Sequence, residues 1–174
     1  LAPSDRSRYT SPTNIGAYLW STIVARDLHL ISRREARDRL TQTLGTVASL
    51  ERHEASGQYY NWYDPATGTK LTTWPVDGST VEPFLSSVDN GWLATALRMV
   101  AVAEPRLARQ AHAIYDGMDF GFYYDPQALG PDNPAGLIRG GFWDQEPSGC
   151  SVTGNYRGRG ADVHYTCHHY GAFN

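Results

Sequence analysis

The chain has 174 residues, 41% of them hydrophobic, with 15 Lys and Arg against 18 Asp and Glu for a formal net charge of −3. Domains run at roughly 100–200 residues, so the length predicts one domain, and the acidic balance argues against a DNA-coating surface, which needs a basic excess. Eleven Tyr, five Trp and five Phe argue against disorder, and the longest apolar run, Leu93 to Ala103, is broken by Arg98 and falls short of the roughly 18–20 residues of a membrane span.

Ser11 is placed to cap a helix with Pro12 at its first position, where the missing N–H costs nothing. Ile15, Leu19, Thr22 and Ile23 follow at helical spacing and predict a helix over 12–27. Ser32-Arg33-Arg34-Glu35 reads as a capping box. It opens a second helix over 33–55 with Ala36, Leu40, Leu44, Val47 and Leu50 on one face. The short gap between them predicts an antiparallel hairpin. Tyr59 to Asp64 reads as an aromatic strand closed by the turn Pro65-Ala66-Thr67-Gly68, with Asp64 starting the turn. Residues 71–84 read as irregular, since Pro75, Gly78 and Pro83 block helix. A third helix over 88–103 carries Trp92, Leu93, Ala96, Leu97 and Val100. A fourth over 105–118 carries Leu107, Ala111, Ile114 and Met118. These two form a second hairpin.

From residue 119 the pattern changes. Eleven of the 17 glycines lie between Gly117 and Gly171. Phe120 to Pro126 reads as a short strand and turn, and the remainder to Asn174 as loop. Cys150 and Cys167 have 16 residues between them. A disulfide there would stabilise by about 3 kcal/mol in the chain-entropy model and would suit an extracellular or cell-envelope location; free thiols are a second reading. A metal site with His164, His168 and His169 is a third, but the spacing fits no standard zinc pattern. With no P-loop and no strand–GxGxxG–helix unit, nucleotide binding is not expected; no cofactor is expected, and no metal is assigned. Helix hairpin, aromatic loop, helix hairpin, long loop is a repeating plan. Both loops follow an even-numbered helix, so they emerge at one end, where sites are built on rigid scaffolds.

Several tracts resemble one family. Thr10-Ser11-Pro12-Thr13-Asn14-Ile15-Gly16, Ala25-Arg26-Asp27-Leu28, Tyr60-Asn61-Trp62-Tyr63-Asp64, Ser86 to Leu93 and Met118 to Asp125 are similar to motifs of glycoamylase-like (α/α)6 toroids. That group includes the endo-β-1,2-glucanases and the cyclising domain of cyclic β-1,2-glucan synthases. The resemblance covers residues 10–126 well and 127–174 loosely. It implies a mainly α fold of helical hairpins in an (α/α)6 toroid, of which residues 1–174 form one domain, the first half or so. It implies action on glucan chains by hydrolysis or transfer, with carboxylates in a cleft at the toroid mouth. The acid of the Ser-Val-Asp motif, Asp89 here, is then one catalytic position. A second family acid lies in a Glu motif after a segment like Tyr165 to Asn174, so the rest of the domain is an expected partner.

The residues themselves support a saccharide site. Glycoside cleavage needs a proton donor and a base or nucleophile on opposite sides of the bond. The candidate catalytic carboxylates are Asp89, Asp144 and Glu146. For Asp89 the competing reading is a helix cap; for Asp144 and Glu146, and for Glu82, it is a solvated loop residue. Sugar rings present C–H faces that suit aromatic platforms with polar edges. Tyr60, Trp62, Tyr63, Trp92, Trp143 and Tyr170 are the candidates, with core packing the alternative for half or more. Asn14 and Arg157 are candidate hydroxyl ligands, or a helix-start residue and a solvated one. The expected ligand is a polysaccharide or oligosaccharide, with no nucleic acid and no membrane span. The expectation is an enzyme acting on a β-glucan; the alternatives are a non-catalytic glycan-binding or scaffold domain and a helical module that binds protein.

Overall fold

The structure is a computed structural model that describes residues 8–128, 136–148, 156–157, 163–166 and 172–173. Helix α1 (Pro12–Asp27) begins as its sequence dictates. Ser11 Oγ accepts the Asn14 N–H at 3.3 Å, and Pro12 holds the first position. Helix α2 (Arg33–Ser49) is capped by Ser32, whose Oγ accepts the Glu35 N–H at 3.1 Å. Glu35 does not close the capping box. It pairs with Arg39 one turn on, at 2.7 Å, a favourable i,i+4 contact. The helix expected over 33–55 stops at Ser49. Leu50 turns extended, at ψ 143, and is buried, and the following residues close a tight turn instead.

Helix α3 (Ser87–Ala103) is capped by Ser86, whose Oγ accepts the Asp89 N–H at 3.0 Å. Leu93, Ala96, Leu97 and Val100 form its buried face. The fourth helix is shorter than 105–118. Pro105–Leu107 is a 3-10 turn, and α4 spans Ala108–Tyr115. Pro105 fixes the entry, and the Met118 N–H bonds the Tyr115 carbonyl as the chain leaves through Gly117.

The two hairpins join through α1 and α3, which pack closely because Gly16 has no side chain. A Cβ there would lie 3.0 Å from the Trp92 carbonyl oxygen. At the other end, the Arg26 guanidinium donates to the Ala103 carbonyl at 2.9 Å. These two ties make α1 and α3 parallel neighbours, with α2 returning the chain between them. The loop after α2 and the start of α3 therefore meet at one end of the bundle. The core is a single cluster running from Leu19 and Leu44 through Leu93 and Leu97 to Tyr59, Tyr123 and Phe142.

Residues 50–83 are more regular than expected. His53–Gln58, Asp64–Thr69 and Trp74–Ser79 are three copies of one six-residue turn. In each, the first N–H bonds the sixth carbonyl, and the fifth N–H bonds the first carbonyl. The fifth residue is Gly57, Gly68 or Gly78, with φ of 64, 73 and 74, the left-handed region that glycine tolerates best. The fourth is Ser56, Thr67 or Asp77, whose side-chain oxygen accepts the sixth N–H at 3.2, 3.2 and 3.0 Å. Asp64 starts the second turn as expected, its Oδ1 accepting from Ala66 and Thr67.

The glycine-rich part contains strands where loop was expected. Strand β1 (Phe84–Ser86) pairs antiparallel with β4 (Gly141–Trp143), in register Phe84↔Trp143, Leu85↔Phe142 and Ser86↔Gly141. Gly141 is required there, since a Cβ would meet the Phe84 ring at 2.4 Å and the Leu85 carbonyl at 2.5 Å. A 3-10 turn at Phe120–Tyr123 replaces most of the strand expected near 120. It leads into β2 (Tyr124–Asp125), which pairs with β3 (Leu137–Arg139), itself paired with β7 (Ala172–Phe173). Strands β5 (Tyr156–Arg157) and β6 (Val163–His164) form a last antiparallel pair. The molecule is mainly α, with these short pairs gathered over the loop end of the helices.

Candidate functional site

Because successive strand residues face opposite ways, β4 divides its environment in two. Phe142 and Asp144 point one way, and Trp143 points the other. On the Asp144 side is a pocket of about 340 Å³ lined by His53, Phe122, Phe142, Asp144, His164 and Tyr165. The His164 ring stacks on Phe142 at 4.1 Å and 9° and meets Tyr156 edge-on at 4.8 Å. The floor is therefore a set of aromatic rings, and the half-buried Asp144 is the carboxylate that lines it.

Both Asp144 oxygens are engaged. His53 Nε2 lies 3.3 Å from Oδ1, and Tyr60 Oη donates to Oδ2 at 3.2 Å. Hydrogen bonding to His53 is the largest influence on the Asp144 carboxyl and holds it below the usual carboxylate range, against the opposing effect of burial. The Tyr60 hydroxyl and the field of Lys70 act in the same downward direction. Burial, and then the charge and hydrogen bond of Asp144, push the Tyr60 phenol well above its usual range, so Tyr60 stays a donor. Lys70 sits 4.0 Å over the Tyr60 ring and pairs with Glu51. A carboxylate kept ionised in this way suits a base or a charge stabiliser rather than a proton donor.

Asp89 is the third residue of α3. Its backbone N–H is capped by Ser86, so the capping role expected of Asp89 belongs to Ser86. The Asp89 carboxylate is half-buried and has no hydrogen-bond or ion-pair partner among the described residues. Its charge contributes to holding the buried Tyr123 hydroxyl protonated, after burial and Tyr156. Asp89 and Asp144 lie beyond opposite ends of the β1–β4 ribbon, whose two outer rungs are roughly 7 Å apart at about 3.3 Å per residue. Glu146 is exposed, and neither it nor Asp89 lines the pocket.

The aromatic candidates separate into groups. Tyr60 is at the site. Tyr63 is fully buried, its hydroxyl donating to the Glu51 carbonyl at 2.6 Å and accepting the Tyr60 N–H at 2.9 Å. That places it in the core, with no ring face for a sugar. Trp62 and Trp143 are half-buried on the other side of the ribbon, each packed on Phe84, at 6.0 and 4.4 Å. Trp92 is 47% exposed and stacks on Trp20 at 6.1 Å, outside α1 and α3. Asn14 is exposed in a separate groove between α1, α2 and the second turn. The Arg157 side chain, Tyr170, His168, His169, Cys150 and Cys167 lie outside the described residues.

Three residues at the site escaped sequence reasoning. His53 and Ser56 belong to the first turn. Asn90, fully buried, accepts the Tyr59 N–H through Oδ1 at 2.8 Å and donates from Nδ2 to the Tyr59 and Ser86 carbonyls, both at 2.9 Å. The recurrence of Gly57, Gly68 and Gly78 at 11 and 10 residues was the available signal for the turns. Nothing local signals the long-range contacts of His53 or Asn90.

Parallel helical hairpins with their connecting loops gathered at one end define a fold of glucoamylase-like type. A glucoamylase-like protein of Bacteroides caccae shares it with a TM-score of 0.57 at 16% identity, over 84% of this chain and 33% of its own. One from Bacteroides fragilis gives 0.54 at 18% identity, over 71% and 29%. An endo-β-1,2-glucanase from Chitinophaga pinensis, in complex with sophorotriose and glucose, gives 0.50 at 16% identity, over 67% and 28%. Residues 2–124 match DUF3131, described as a protein of unknown function, and the chain belongs to that family. In sequence, 93 residues are 38% identical to the cyclic β-(1,2)-glucan synthase NdvB of Rhizobium meliloti, which is 53% of this chain and 3% of that protein. The chain thus spans a third or less of each of these proteins.

Proposed function

We propose that this chain supplies the Asp144 pocket of a carbohydrate-active enzyme that hydrolyses or transfers a β-glucan, with β-1,2-linked glucan as the first substrate to test. The observation that carries this reading is one carboxylate, held by His53 and Tyr60 over an aromatic floor. The fold is shared with a glucanase, and the sequence resembles a glucan synthase. Asp144 serves as base, nucleophile or charge stabiliser. Asp89, half-buried and without a hydrogen-bond or ion-pair partner among the described residues, is the candidate for the second acid, and Glu146 is exposed, near Asp144 in the chain. Residues 1–174 form the N-terminal portion of a larger helical toroid whose remaining hairpins complete the cleft.

A second reading, a non-catalytic glycan-binding domain, draws on the finding that Asp144 is the one carboxylate lining the pocket among the described residues. Incubation of the full-length protein with β-1,2-glucan, and with β-1,3- and β-1,4-glucans as controls, separates the two. The expected result is release or rearrangement of sugar, with Asp144→Asn lowering turnover by about 100-fold or more, the scale of one acid–base group. Glucan binding without any product would instead establish the second reading.

A further inference from the structure

A carboxylate in a half-open pocket keeps its orientation only if something fixes it, and the side chains around Asp144 form a linear chain that does so. Ser56 Oγ lies 2.8 Å from His53 Nδ1, and His53 Nε2 lies 3.3 Å from Asp144 Oδ1. Proton bookkeeping settles the directions. A carboxylate only accepts, so His53 Nε2 must carry hydrogen. In neutral His53, Nδ1 is then the acceptor, and the Ser56 hydroxyl donates to it. One Ser56 lone pair already accepts the Gln58 N–H at 3.2 Å, which leaves the hydroxyl hydrogen for His53. Ser56 is 2% exposed, so this Ser–His–Asp chain has no accessible nucleophile and is not a hydrolytic triad. The backbone holds the imidazole as well: the His53 N–H bonds the Gln58 carbonyl, and the Gly57 N–H bonds the His53 carbonyl.

We propose that His53 is a positioning residue for Asp144, with Ser56 selecting the imidazole tautomer that turns Nε2–H toward the carboxylate. The inference rests on Asp144 being the working carboxylate. The groups facing Asp144 are His53 from the first turn, Tyr60 from the segment after it, Lys70 with its partner Glu51, and His164 and Tyr165 across the pocket. Of these, His53 and Tyr60 touch the carboxylate oxygens, and Tyr60 stays a donor at working pH. His53 is therefore the contact through which the ionisation of Asp144 is set. Contact with a donor favours the charged carboxylate. Removing it raises the pKa of Asp144, so activity that needs the ionised form is lost at higher pH.

The test is the pH dependence of kcat/KM on β-1,2-glucan for the full-length protein, beside a 13C NMR titration of its carboxyl groups. In His53→Ala the acidic limb is expected to move up by about 0.5–1 pH unit, on the order of one hydrogen-bonded contact, with KM nearly unchanged. His53→Gln, which keeps a donor, recovers part of that shift, and Ser56→Ala moves the limb less than His53→Ala, in the same direction. The NMR titration of Asp144, assigned by its absence in Asp144→Asn, shifts upward in parallel. An acidic limb and a carboxyl titration both unmoved in His53→Ala overturn the proposal. If Asp144→Asn is inactive in that same set, the reading of Asp144 stands while that of His53 falls. Full turnover by Asp144→Asn overturns both.

Discussion

The first and third turns of the 53–79 segment share one backbone and one hydrogen-bond scheme, yet they do different things. Around Gly57 the turn is packed on the next hairpin. The Asp119 N–H bonds the Ser56 carbonyl, and a Cβ on Gly57 would lie 1.8 Å from the Gly117 carbonyl oxygen. A Cβ on Gly78 would meet nothing within 4 Å among the described residues. The fourth residue of the first turn, Ser56, bonds a histidine at the pocket; that of the third, Asp77, bonds Ser79 of its own turn, through both the N–H and the hydroxyl. The same local geometry holds a pocket-lining side chain where it is packed against the next hairpin and reverses the chain where it is not.

The largest expected effect breaks that difference directly. Gly57→Ala must push backbone against backbone, and should cost on the order of 3 kcal/mol or more, enough to prevent folding of a marginal domain. Gly68→Ala meets only the Leu50 Cδ2 at 3.2 Å and should cost about 1–2 kcal/mol, mostly left-handed strain. Gly78→Ala should cost about 1 kcal/mol, the strain alone. Chemical denaturation reads the series, and equal costs at all three positions would show that packing does not distinguish the turns.

Asn90→Ala comes next. It strips the Tyr59 N–H and carbonyl of their buried partners, with an expected cost of about 2–4 kcal/mol. Loss of the first turn's hydrogen-exchange protection should accompany it, while the third turn stays unchanged. The smallest effects are in acid. Asp77 is held below its usual range by the Ser79 N–H and hydroxyl, and Asp144 chiefly by His53. A depressed folded-state pKa contributes stability that is present above the unfolded value of about 3.9 and lost as pH falls through the folded value. Asp144→Asn should therefore flatten the stability–pH curve below about pH 4. Asp77→Asn, at a fully solvated carboxylate, should leave that curve close to wild type.

The parts of this design that sequence reveals are those decided by neighbours in the chain. Ser11 and Ser32 each cap the helix that follows, and Asp64 starts its own turn, because capping and turn formation need only two or three adjacent residues. The site is different. Asp144 was a candidate on context alone, but its partners His53 and Tyr60 are brought to it by the β1–β4 pairing, which no periodicity announces. Asp89 was divided between cap and catalyst, and the geometry of Ser86 releases it from the first role. The turn repeat stays hidden because its first residue is His53, Asp64 or Trp74 and its sixth Gln58, Thr69 or Ser79, and glycine alone is the same in all three copies.

Asn90 carries a further consequence, in the order of events as the chain is made. Its side-chain amide does for Tyr59 what a neighbouring strand would do, satisfying the donor and the acceptor of one residue at once. The segment bearing His53 therefore leaves the ribosome before the residue that will anchor it. The Tyr59 backbone gains those partners only once α3 has emerged and coiled, and the contact with Asp144 follows later still. The pocket is assembled from four stretches of chain, around His53, Phe122, Asp144 and His164, and the last to arrive closes it.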